Sequence, residues 1–180
     1  MTNQPYFEQS QQVKRELQSD ASLLDKLRSA FDGKAEPFSF GGTVDLFQFG
    51  KQLSSGLWVA LRLFRPELNY GGNCEGIQAR AMETYCRNAE HLVSKGFEVP
   101  RFCIGTTYKG KAGIITEDVS ANGQYEIDHP DGEPHCFVTE GEKQRKVFID
   151  IDAVFRYWPD LELKYFANDA VLDLRRVRNE

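Results

Sequence analysis

The chain has 180 residues, 41% of them hydrophobic and 27% charged, with a net charge of −5. That length suits one domain and can bury about 70% of its unfolded surface. The negative balance argues against general nucleic-acid binding, which needs a basic face to displace phosphate counterions, and no apolar run approaches the ~20 residues of a membrane span.

Residues 1–7 read as a loose tail, with neither the basic start nor the apolar centre of a secretion signal. Glu8 to Phe31 is helical, with Val13, Leu17, Leu23, Leu24, Leu27 and Phe31 along one apolar edge. Ser19-Asp20 is a natural split into two helices, because both residues cap well and compete with helix hydrogen bonds. Phe38 to Phe40 and Thr43 to Phe49 read as strands around Gly41-Gly42, and Gly50 to Gly56 as a turn. Leu57 to Phe64 is a third, strongly β-prone segment. Asn73 can then cap a long helix with an apolar stripe through Ile77, Met82, Tyr85, Cys86, Ala89 and Leu92. Gly96 ends it as a left-handed cap with Phe97 folding back, and Val99-Pro100 forces an extended exit.

Arg101 to Tyr108 and Ala112 to Val119 form a hairpin across Lys109-Gly110-Lys111. Tyr125 to Ile127, His135 to Val138 and Lys146 to Asp152 are shorter strands, with turns at Asp131-Gly132 and Thr139 to Glu142. On a strand, Asp150 and Asp152 share one face, and two such carboxylates can hold Mg²⁺ together with phosphate oxygens. Ala153 to Glu180 reads as helical in pieces, and the basic run from Leu174 to Arg178 suits a helix C-terminus. Four widely spaced cysteines (Cys74, Cys86, Cys103, Cys136) favour neither a zinc site nor a disulfide scaffold. Buried reduced thiols in a cytoplasmic protein are the expectation.

The expected fold is α+β, a twisted antiparallel sheet carrying one long helix with helical flanks at both ends. The whole of 1–180 is expected to be a single domain: a helical flank over 1–34, a core over 38–120, and a reduced β/helical part over 121–180.

Two strands around a glycine pair, a third strand with a basic residue, one helix, then a hairpin: this order resembles the small lobe of protein-kinase-like folds. It looks nearest to the lipopolysaccharide-core sugar kinases and aminoglycoside phosphotransferases. Val59-Ala-Leu-Arg62 stands where that family has V-A-x-K. Glu83, followed by Leu92, Gly96 and Val99-Pro100, looks like the helix that carries the family's Glu and leaves through G-x-x-V-P. Gly113 to Asp118 looks like the strand that leads to the adenine-binding hinge. His129-Pro-Asp131 through Cys136, then Asp150, resembles H-x-D-x-x-x-x-N followed by the metal Asp.

The resemblance implies ATP and Mg²⁺ as cofactors. Gly41, Gly42, Arg62, Glu83 and Glu117 would hold the nucleotide, Asp131 would orient the substrate hydroxyl, and Asp150 and Asp152 would hold the metal. Phosphoryl transfer is mostly positioning and charge neutralisation, which is why those residue types are needed. Arg62 stands in place of Lys and Cys136 in place of Asn, and the short span from Val119 to His129 leaves no room for a complete large lobe. Plainer roles exist for each residue. Arg62 suits a solvent-facing strand, Glu83 an i,i+4 pair with Arg87, Gly41-Gly42 a bulge, Asp131-Gly132 a hairpin turn, and Asp150 and Asp152 a solvated strand face. Three functions therefore stay open. One is a degenerate kinase-like protein that senses nucleotide or binds a protein partner. The others are an active small-molecule or sugar phosphotransferase and a non-enzymatic interaction domain.

Overall fold

The computed structural model describes residues 4–40, 44–64, 74–150 and 171–175. They form an α+β fold. In order it runs α1 (Gln4–Gln18), α2 (Ala21–Phe31), β1 (Ser39–Phe40), β2 (Val44–Gln52), β3 (Trp58–Phe64), α3 (Cys74–Ser94), β4 (Cys103–Tyr108), β5 (Lys111–Glu117), β6 (Glu126–Asp128), β7 (His135–Glu140), β8 (Lys143–Phe148) and β9 (Val171–Asp173). A six-stranded sheet has the order β1-β2-β3-β5-β4-β9, and a three-stranded sheet the order β6-β7-β8.

Helices cover both faces of the large sheet. Leu23, Leu24, Leu27 and Phe31 of α2 pack with Val13 and Leu17 of α1 against Val59, Leu61, Ile104 and Ile115. On the other face Met82, Tyr85, Cys86, Ala89 and Leu92 of α3 pack with Cys103, Ala112 and Ile114. Full burial of each such aliphatic side chain contributes about 1.5–3 kcal/mol, so the sheet centre, apolar on both faces, is the main core. A small third cluster of Cys136, Val138 and Val147, with Val119 and Ile149 beside it, lies under the β6-β7-β8 sheet.

Local chemistry explains the boundaries. The Asp20 carboxylate accepts from the Leu23 amide at 3.0 Å and starts α2. Gly96 takes φ +87° and the Phe97 amide donates back to the Leu92 carbonyl at 3.0 Å, the six-to-one bond of a Schellman cap. Phe97 then meets Phe148 edge-on. Lys109 and Gly110 both have positive φ, as a two-residue hairpin turn requires.

Four expectations change. Within the stretch expected to be a loose tail, α1 already runs from Gln4 and Tyr6 is buried, its hydroxyl donating to the Pro100 carbonyl at 3.1 Å. An aromatic ring with a polar tip is buried where that tip finds a partner. β2 runs on through Gly50 to Gln52, and the irregularity appears instead as a register shift between Gln48 and Gln52. β8 spans Lys143–Phe148, so Asp150 lies beyond its end. Finally, Val171–Asp173, expected to be helical, is a strand pairing parallel with β4, which makes the large sheet mixed rather than wholly antiparallel. Leu172 and Leu174 are fully buried while Asp173 between them is not, the period of two that a strand needs. Asn73, the expected cap of α3, and residues 153–170 and 176–180 of the C-terminal stretch lie outside the described residues, and no helix among those described is long and apolar enough to cross a membrane.

Candidate functional site

β3 positions Arg62 by register. Arg62 is paired with Ile114 of β5, and Ile114 with Gly105 of β4. Directly opposed residues in an antiparallel ladder share a face, and Ile114 belongs to the cluster under α3. Met82 of α3 lies over Gly105 in the same row. Arg62 is thus on the helix-covered face and half-buried, not on the solvent-facing side that strand alternation alone would allow. Its Nε atom is shielded from water and makes no hydrogen bond among the described residues. Such a buried donor is a standing cost, and a cation held there projects its charge through a low-dielectric interior.

The charge reaches two thiols. Burial pushes the Cys136 thiol up to about 11, while the guanidinium groups of Arg62 and Arg145 act to lower it. Cys103 is also raised by burial, and Arg62 again opposes the shift. Cys103 on β4 and Cys136 on β7 therefore each lie within electrostatic reach of Arg62 on β3. The end of the β7-β8 hairpin closes on the same region. The amides of Ile149 and Asp150 both donate to the Pro134 carbonyl, at 3.1 and 3.0 Å. The Tyr85 hydroxyl of α3 donates to the Ile149 carbonyl at 3.4 Å.

Glu117 has a structural partner set. Its buried carboxylate accepts from the Arg101 amide at 3.0 Å and from Arg145 Nη2 at 3.5 Å. Arg145 also donates to Glu98, after α3, and to Glu140 of its own hairpin. Next along the chain, Asp118 accepts from the Ser120 amide and hydroxyl, the Asn122 amide and Gln48 Nε2, all within 3.1 Å. These bonds fix the exit of β5, where Ala121 and Asn122 adopt positive φ.

Asp131 is exposed in the loop between β6 and β7, with Gly132 at φ +77° and the Glu133 amide returning to the Pro130 carbonyl at 3.2 Å. This loop joins two paired strands, as the Asp-Gly signal implied. Asp150 is exposed and off the strand, so the strand face expected to carry it with Asp152 is not formed at Asp150. Among the described residues no group of three or more His, Cys, Asp or Glu side chains could hold a metal ion. Glu83 lies on α3 one residue after Met82, while Gly41, Gly42 and Asp152 lie outside the described residues.

Sequence reading missed the Arg145 cluster, the Asp118 turn and the contact between Cys86 and Cys103. The partners in the first are scattered over more than forty positions, and no spacing signals them. The Asp118-Val-Ser120 stretch did carry a local signal, a carboxylate two residues before a hydroxyl at a strand end. No family model, curated protein or solved structure matches the chain.

Proposed function

We propose that this is a degenerate kinase-like protein that binds a nucleotide or a protein partner, with weak or no phosphotransfer. One observation carries the reading. Arg62, where the resemblance puts the phosphate-gripping lysine, is held half-buried under α3 with an unbonded Nε and an electrostatic reach that extends to Cys136. A guanidinium grips phosphate oxygens through paired donors, and the Arg62 guanidinium keeps a donor that no described protein group takes up. The succession of three strands, one long helix and a hairpin supports it as well. Weak transfer follows from the donor set. Asp150 lies beyond the strand expected to pair it with Asp152, and the thiol of Cys136 is a poor ligand for a hard cation.

The test is a thermal melt with and without millimolar Mg-ATP, on wild type, Arg62→Ala, Arg62→Lys and Asp150→Ala. Ligand at about a hundred times its dissociation constant adds roughly 2.7 kcal/mol, or several degrees at about 2–4 °C per kcal/mol for a chain of this size. The expected result is a rise in wild type that Arg62→Ala and Asp150→Ala lose and Arg62→Lys retains. No rise in wild type overturns nucleotide binding and leaves the partner-binding half of the proposal.

A further inference from the structure

Cys86 is on the sheet-facing side of α3, and Cys103 is the first residue of β4. Both are buried free thiols, and their Sγ atoms lie 3.0 Å apart. A disulfide needs about 2.05 Å between sulfurs, so the two sulfur atoms must close by about 1 Å more across the packed face between α3 and β4. We propose that Cys86 and Cys103 are a redox modification site: a dithiol that oxidises reversibly to a disulfide stapling α3 to β4.

Two buried cysteines can also be plain core residues. Three features set this pair apart. The sulfurs touch each other rather than only hydrocarbon. Burial, Cys86 and Glu90 raise the Cys103 thiol, and the Arg62 guanidinium is the nearby charge that opposes them and favours the attacking thiolate. And the cover is the end of one helix: the first turns of α1 lie over the site, with the Cys103 amide donating to Ser10 Oγ at 3.2 Å and the Tyr6 hydroxyl to Pro100 at 3.1 Å, while Val13 and Leu17 anchor its later turns in the main core. While α1 stays down, burial holds the Cys103 thiol protonated and inert. When it lifts, the thiolate forms.

The oxidant is a small disulfide such as glutathione disulfide. The Cys103 thiolate attacks one of its sulfurs, the oxidant's S–S bond breaks, and one glutathione thiolate leaves. Cys86 then gives up its proton and attacks Cys103 Sγ, which forms the protein disulfide and expels the second glutathione thiolate. Two protein thiols lose two electrons, and the oxidant becomes two thiols. This inference rests on the thiol pair itself, so it and the nucleotide reading fail separately.

The experiment incubates the full chain with glutathione disulfide near pH 8, blocks remaining thiols, and reads intact mass, a peptide map and a thermal melt. Expected are a species short of two hydrogens, a peptide linking Cys86 to Cys103, and a melting point that rises and returns on reduction. Cys86→Ser and Cys103→Ser each remove the species, and Cys136→Ser keeps it. Tyr6→Phe, which loses the bond to Pro100, speeds formation about fivefold, the factor one hydrogen bond is worth. The wild-type map decides the matter even if a serine variant does not fold. A cross-link to Cys74 or Cys136 overturns the proposal. So does a stable glutathione adduct, or two thiols that stay unpaired in urea sufficient to open α1.

Discussion

Arg145, on the middle of β8, reaches across to Glu117 at the end of β5, so that one guanidinium joins the small sheet to the large one. Its side chain is 11% exposed and Glu117's is 6%, while Glu98 at 46% is a rim partner. Arg145→Met should therefore cost about 2–4 kcal/mol, because it leaves a buried carboxylate with only the Arg101 amide and the more distant Arg101 guanidinium beside it. Arg145→Lys keeps the charge but not the fork and should cost about half as much. Urea denaturation measures both. A loss within about 0.5 kcal/mol for Arg145→Met would mean that the three contacts behave as ordinary surface pairs.

The parts of this fold that were legible in the sequence are those set by neighbours in the chain. Asp20 splits the N-terminal helices, Gly96 ends α3, Lys109-Gly110 turns β4 into β5, and the apolar stripe of α3 faces the sheet. What escaped is set by partners far away. Tyr6 is ordered by Pro100, 94 positions on. Val171–Asp173 is a strand because β4 offers it an edge and Arg28 donates to the Leu174 carbonyl. For Arg62, alternation gave two faces and could not choose between them. The choice is made by where α3 lands.

Asp118 is predicted to be the most sensitive carboxylate outside the Arg145 cluster. It accepts from two backbone amides, a hydroxyl and a side-chain amide, and it is nearly fully buried. Asp118→Ala leaves these donors without their acceptor and should cost about 2–4 kcal/mol, a fall of roughly 5–15 °C in the melting point. Asp118→Asn keeps the shape but turns an amide group toward donors, and it should fall between. The same variants should loosen Ala121 and Asn122, visible as faster amide exchange at those two positions.

Stability should fall as pH rises through the acid range because of Glu90. Burial on α3 raises its carboxyl from about 4.5 to about 7, although the Arg87 charge acts to lower it. The folded chain therefore holds a proton that the unfolded chain has released, so the contribution is full below about pH 4.5 and lost by about pH 7. The loss is on the order of 3 kcal/mol at most, at about 1.4 kcal/mol per pH unit. Glu90→Gln, neutral throughout, should flatten the slope and be the more stable protein at pH 8. Denaturation at pH 5, 6.5 and 8 checks the sign, and an unchanged slope in Glu90→Gln would assign the pH dependence to another group.

Two glycines of the sheet should respond differently to alanine. A methyl on Gly113 would sit 2.9 Å from the Arg62 carbonyl, with Leu61 and Phe31 close behind. That carbonyl is backbone in a paired strand and cannot move without disturbing the ladder between β3 and β5. A methyl on Gly105 would sit 2.8 Å from Met82 Sδ, a much softer obstacle. Gly113→Ala should therefore cost about 2–3 kcal/mol and Gly105→Ala about 1 kcal/mol. Adding Met82→Ala to Gly105→Ala should recover part of what each loses alone, a coupling that a double-mutant cycle reads directly. If Gly105→Ala proved the costlier change and Met82→Ala gave no relief, α3 would be held on the sheet more rigidly than the strands hold each other. The freedom that the Cys86–Cys103 closure needs would then be missing.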